Sequence, residues 1–117
     1  MRARADELDR EFVGPGFLHA MNYDGKRWER LREAAFRRDR YRCRECARYG
    51  RRVQAERAHH AWPAEEYPEY QWALWNLVSL CRGCHDRMHD RATRALTPLG
   101  MQWLRRTKPP EARIPRS

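Results

Sequence analysis

His59 and His60, then Asn76, then His85 and His89 four residues apart, gather four imidazoles and an amide into one short stretch of this chain. Two Cys-x-x-Cys pairs, Cys43/Cys46 and Cys81/Cys84, share the same region. Four thiolates presented by two tight turns make a closed tetrahedral sulfur shell, the form of a structural zinc site. Such an ion would tie the chain ahead of the first strand to the segment carrying the last two histidines. Disulfides are the other use of four cysteines. Two Cys-x-x-Cys pairs with no apolar secretory segment at the N-terminus fit zinc in a reducing compartment better, so a cytoplasmic protein is expected.

With the sulfur shell filled, the histidines are left for a second site. Two imidazoles at i and i+4 of a helix can grip one ion from one side, and a third ligand from a strand end leaves positions open for water and substrate. Neighbouring strand residues point to opposite faces, so His59 and His60 are not expected to bind the same ion, and one remains as a base. The spacing thus points to a metal-plus-base site. His19, isolated near the N-terminus, reads as an ordinary surface histidine.

The 117 residues allow one domain, and a chain of this size buries only about two-thirds of its unfolded surface, so a metal staple is expected to supplement the core. The formal net charge is +9, and 23 of the 25 basic residues are arginine, whose planar fork matches phosphate oxygens. A nucleic-acid partner follows from that excess. No apolar run approaches the roughly 20 residues that cross a bilayer, so no membrane partner is expected.

Several elements must position the site. Trp28, Leu31, Ala35 and Phe36 fall on one face of a helix over residues 26–39, with Asp24 as its cap and Arg27, Arg30, Arg37 and Arg38 turned outward. The first cysteine pair sits in a turn over 41–50, and 52–61 alternates as a strand that the histidine pair closes. An aromatic, proline-bearing loop over 62–75 is expected to lie over the core, its tryptophans serving mainly as cover. The apolar run 77–80 pairs back on the first strand. A helix over 82–93 then carries His85 and His89 on one face, with Arg87, Arg91 and Arg94 as candidates for phosphate contact. A last helix spans 98–106, with Thr97 as cap and Pro98 in its first turn. Residues 1–23 read as an arm, with a short helix around Leu8 and Phe12 that Gly14-Pro15-Gly16 ends; 24–106 read as the domain, and 107–117 as a basic, proline-rich tail.

The segments Arg57-Ala58-His59-His60-Ala61-Trp62-Pro63 and Trp75-Asn76-Leu77-Val78-Ser79-Leu80-Cys81-Arg82-Gly83-Cys84-His85-Asp86-Arg87-Met88-His89 resemble the HNH endonucleases. The lead-in Arg38-Asp39-Arg40-Tyr41-Arg42-Cys43-Arg44-Glu45-Cys46 is similar to the zinc-stapled, often phage-associated branch of that family. The resemblance covers about residues 26–92, with its core motif in 41–92. It implies a small α+β fold: a ββα-metal finger with a structural four-cysteine zinc, flanked by an N-terminal and a C-terminal helix.

It further implies a metal-dependent DNA endonuclease hydrolysing phosphodiester bonds, with His60 as general base, His59, His85 and His89 holding a catalytic divalent ion, and Asn76 orienting His60. Many members carry aspartate where this chain has His59. A neutral imidazole there makes the ligand set softer, favouring Zn, Ni, Co or Mn over Mg. Ala61 stands where isoleucine or valine usually follows the base, a change expected to alter packing alone. Two other readings compete: a non-catalytic zinc module that binds nucleic acid, and an accessory subunit of a phage DNA-packaging assembly that works beside a terminase. The apolar pattern marks no dimer face.

Overall fold

A computed structural model describes residues 25–110. The expected arm over 1–23, its helix, the Asp24 cap and the end of the tail from residue 111 lie outside the described residues. Helix α1 (Gly25–Arg38) is followed by a short helix α2 (Arg44–Ala47), strand β1 (Arg57–His60), two 3-10 turns (Pro68–Tyr70 and Leu74–Asn76), strand β2 (Leu77–Leu80), helix α3 (Arg82–Asp86) and helix α4 (Pro98–Arg106). This is a small α+β fold with a two-stranded sheet.

The strands are antiparallel, with Arg57 opposite Leu80, Ala58 opposite Ser79, His59 opposite Val78 and His60 opposite Leu77. Every residue of β2 is buried, because α1 covers one of its faces and the sulfur-rich core covers the other. That two-sided burial explains why the run Leu77-Val78-Ser79-Leu80 shows no strict polar alternation. Its one polar member, Ser79, donates its hydroxyl to the Ala35 carbonyl of α1 at 3.2 Å, so the burial leaves no orphan.

Regular pairing in β1 is shorter than the 52–61 span that the alternation predicts. Ahead of Arg57 the chain keeps the Glu56 N–H bond to the Leu80 carbonyl at 2.8 Å and an isolated bridge from Gln54 to Arg42, because β2 ends at Leu80 and extends no further along it. The expected helix over 82–93 is likewise shorter and stops at Asp86. Asp90 supplies the competing structure: its carboxylate accepts from the Ala92 N–H at 3.1 Å and the Thr93 hydroxyl at 3.2 Å, and its backbone bonds Arg94 and Ala95 at 2.7 Å each. This is the local capping by which aspartate displaces helix. Arg94 takes a left-handed backbone (φ 69°), and the chain turns back so that His89 bridges to Leu96.

Arg38, expected to face outward, instead reaches across to β2. Its guanidinium donates to the carbonyls of Leu74 at 3.0 Å and Leu77 at 2.6 Å, while also pairing with Asp39. Those carbonyls lie at the entry to β2; that of Leu74 already accepts the Leu77 N–H of the 3-10 turn, and a planar fork with several donors reaches both.

The core gathers Cys43, Cys46, Cys84, Ala61, Val78, Leu80, Met88 and Trp103, with Val53, Trp62, Cys81 and Leu99 packed against it. Helix α4 closes it. Thr97 caps α4 by accepting from the Gly100 N–H at 3.1 Å, and its hydroxyl reaches the Arg87 carbonyl at 2.7 Å. Trp103 donates its indole N–H to the buried Glu45 of α2 at 2.8 Å. Gly100 lets α4 approach this closely: a Cβ there would fall on the Met88 carbonyl oxygen and within 2.8 Å of Leu96 Cδ2. Gly100→Ala, which in an open helix would gain about 1 kcal/mol, should here lose about 1 to 3 kcal/mol of stability in chemical denaturation. A gain would show that α4 does not dock as described.

Candidate active site

The four cysteines come together as their spacing requires. Their sulfur atoms all lie within 4.8 Å of one another, with Cys46 Sγ 3.9 Å from Cys81 Sγ and 3.7 Å from Cys84 Sγ. A tetrahedron of sulfurs around zinc at about 2.3 Å has edges of about 3.8 Å, so the cluster is already near that size. None of the four is in a disulfide. Cys43 caps α2, its sulfur accepting the Cys46 N–H at 3.4 Å, and Cys81 occupies the corresponding position before α3. Burial pushes the Cys84 thiol up, and its sulfur neighbours add to the shift. Burial works in the same direction on Cys81, yet hydrogen bonds from Cys84 and the other two sulfurs outweigh it and hold that thiol below its usual value. A sulfur set of this kind ionises fully only with a cation at its centre.

On the other side of the finger the histidines converge. The His59 ring lies 5.6 Å, centroid to centroid, from those of both His85 and His89, edge-on to each. His59 leaves β1, His85 comes from α3, and His89 from the bridge beyond it, so the trio forms although one regular helix does not carry both later members. His59 is 2% exposed, and its Nε2 is buried with no hydrogen-bond partner. A buried imidazole nitrogen without a hydrogen-bond partner, on a ring with two further imidazoles close by, is a donor that a neutral histidine can offer to a divalent cation.

Burial, reinforced by His85, His89 and His60, holds His59 down to about 3. Burial likewise lowers His85, with Asp86 opposing and Arg57 and His89 assisting. It lowers His89 too, with Arg94 assisting and Glu65 and Glu66 opposing. Arg57 and Arg94 therefore bring positive field to the trio. Arg87 and Arg91 are exposed on the segment that follows α3, rather than on a continuing helix, and Arg87 also lies 4.0 Å from Cys84 Sγ.

Strand alternation sends His60 to the opposite face from His59. Its Nε2 lies 2.9 Å from the Gln71 carbonyl, and its ring stacks on Trp28 of α1 at 5.5 Å and 26°. Burial lowers its pKa, with the Gln71 hydrogen bond opposing. Asn76, fully buried, holds the loop that supplies this carbonyl: its Oδ1 accepts from the Trp62 N–H at 2.8 Å, and its Nδ2 donates to the carbonyls of Trp62 at 3.0 Å and Tyr70 at 3.2 Å. All three side-chain bonds of Asn76 thus go to loop backbone, one of them to the residue next to Gln71.

Three neighbours of the site escape a reading of the motif alone. Gln71 acts through its backbone, which no side-chain pattern reveals. Trp28 reads as a core residue of α1. Arg57 did carry a signal: two residues before His59 on the same strand, it shares that face.

No protein-family model matches the chain, and no curated protein matches it. Among solved structures, it is similar to the crystal structure of the HNH endonuclease of the deep-sea thermophilic bacteriophage GVE2 with manganese ion. The identity is 25%, the TM-score is 0.56, and the match covers 71% of this chain and 87% of that one. The likeness that the histidine and cysteine motifs carry is therefore a likeness of fold as well, and this chain has the ββα-metal architecture of a phage HNH endonuclease.

Proposed function

We propose that the protein is a metal-dependent endonuclease that hydrolyses phosphodiester bonds of DNA. The observation that carries this reading is the division of labour at the end of β1. His59, whose buried Nε2 has no hydrogen-bond partner, has its ring 5.6 Å from those of both His85 and His89, while His60, one residue on, is held on the other face by a carbonyl and an indole. The likeness to a phage endonuclease supports a nuclease function in general.

His60 is the general base. A carbonyl oxygen only accepts, so the bond to Gln71 requires a proton on Nε2 and leaves the lone pair on Nδ1. Burial keeps the ring neutral, so Nδ1 is able to take a proton from a water attacking phosphorus as the P–O bond to the leaving 3′ oxygen breaks. Asn76 sets the ring indirectly, by fixing the backbone on either side of the loop that carries Gln71.

His59, His85 and His89 would hold the catalytic divalent ion, and Cys43, Cys46, Cys81 and Cys84 a structural zinc. A divalent ion at the histidines supplies a Lewis acid for the charge developing on the phosphate and its leaving oxygen. Three imidazoles favour Mn, Co, Ni or Zn over Mg, and the solved phage enzyme carries manganese. Arg94 and Arg57 beside the trio, with Arg87 and Arg91 along the exposed segment, would meet the DNA backbone.

Incubated with supercoiled plasmid and Mn²⁺, the purified chain should nick it, and His60→Ala should cut about 10² to 10⁴ times more slowly while still binding DNA. Binding without cutting under every divalent ion would instead favour a non-catalytic zinc module or a subunit active only in a larger assembly.

A second expectation concerns pH. The depressed histidines bind fewer protons folded than unfolded. Their contribution to stability is therefore complete above the ordinary value of 6.5 and is lost as pH falls below it, down towards about 3 for His59. By the same sign, protons compete weakly for the metal site. Three ordinary imidazoles would lose about 50-fold in metal affinity between pH 7.5 and 6. Calorimetric titration of the zinc-loaded protein with Mn²⁺ should show a smaller loss, and a full decline of about 50-fold would contradict the lowered proton affinity of the three histidines.

A further inference from the structure

The base has two restraints, and only one of them belongs to the finger. The hydrogen bond from His60 Nε2 to the Gln71 carbonyl fixes one point on the edge of the ring, about which the ring plane can still rock. The Trp28 indole, stacked on the imidazole at 5.5 Å and 26°, fixes that plane. Trp28 lies in the first turn of α1, far from the motif in sequence, and the residue before it addresses the same loop. Arg27 sets its guanidinium 4.0 Å over the ring of Trp72, the residue that follows Gln71. Two consecutive residues of α1 therefore hold the face of the base and the loop that supplies its acceptor.

We propose that Trp28 is a positioning residue for His60: by stacking on the imidazole while Gln71 holds its Nε2–H, it aims Nδ1 at the attacking water. The proposal rests on the reading of His60 as base. A packing role alone would need only an apolar side chain of sufficient bulk at position 28, whereas positioning needs a flat ring face. Phenylalanine keeps the face, and leucine keeps apolar bulk without it. A base displaced by about 1 Å can lose about 100-fold in rate, and substrate binding elsewhere is untouched.

The test compares Trp28→Phe, Trp28→Leu and His60→Ala in the full chain, each checked for bound zinc. Plasmid nicking in Mn²⁺ supplies kcat and KM, and nitrogen-15 spectra of the histidine rings report the His60 tautomer. Trp28→Phe should retain most of the activity. Trp28→Leu should lose about 10- to 100-fold in kcat with KM little changed, and its His60 ring should no longer show a single Nε2–H form. Equal activity of the Phe and Leu variants with an unchanged tautomer would overturn the proposal, as would a loss confined to KM. If His60→Ala still cuts at the normal rate, the reading of the base fails. In that case the ring spectra still decide whether Trp28 sets the imidazole.

Discussion

Four sulfur atoms within 4.8 Å of one another stand where a larger domain would have an apolar centre, and the rest of the fold is arranged around them. The sheet has only two strands of four residues, too few to be stable by themselves. Cys43 and Cys46 lie ahead of β1, and Cys81 and Cys84 follow directly on β2, so a cation among them would close the ribbon's flanks on each other. The apolar partners fit the same plan: Val78 and Leu80 of β2, Met88 and Trp103 pack on the cysteines rather than on a separate core. Trp103 adds a polar tie through Glu45, a buried acid that also accepts from Arg48 at 3.0 Å. Breaking the cluster would therefore release α4 and the histidine-bearing segment together.

Because the ribbon is so narrow, the alternation of β1 becomes the organising fact of the site. One residue's difference in register puts His59 among His85 and His89 and sends His60 to α1 and the loop. A slip of one position would exchange the two faces, carrying His60 towards His85 and His89 and His59 towards α1. The pairing of His59 with Val78 and His60 with Leu77 guards against this, since β2 is buried on both faces and its neighbours on α1 fix it. Ser79 bonds Ala35, and Arg38 holds the carbonyls of Leu74 and Leu77. Asp39 is part of the same clasp. Burial would raise its pKa, but the side chains of Arg38 and Ser79 outweigh that and keep it ionised beside the guanidinium.

What could be read from the sequence follows from what kind of interaction decides each feature. The cysteine turns, the α1 face, the pairing of 77–80 with the first strand and the Thr97 cap of α4 are local patterns with one physical solution, and each stands in the structure. The helix expected over 82–93 stops at Asp86 because helix propensity beyond it competes with Asp90, whose carboxylate caps the following turn. The strand over 52–61 failed because alternation says nothing about whether a partner exists. Charge places Arg38 outward, although the backbone carbonyls at a strand entry can draw an arginine inward. Around His60 a sequence names side chains and not backbone: the acceptor for its ring is a carbonyl, visible only once the loop is folded.

That loop explains why Asn76 is an asparagine and not another turn residue. Residues 61–76 span the gap between the strands with two 3-10 turns, and an irregular segment of that length tends to wander unless something within it is fixed. Aromatic packing gives it bulk: Trp62 sits edge-on to Tyr67 at 4.9 Å, and Tyr70 to Trp75 at 4.8 Å. Such contacts tolerate sliding. Asn76 does not, because one side chain both accepts and donates, and it closes on the N–H and the carbonyl of the same residue, Trp62, while its second amide proton takes Tyr70. Aspartate has no amide protons for those two carbonyls, and serine or threonine lacks the reach and the donors. The amide converts a sliding aromatic lid into one with a fixed register, in the loop whose Gln71 carbonyl lies 2.9 Å from His60 Nε2.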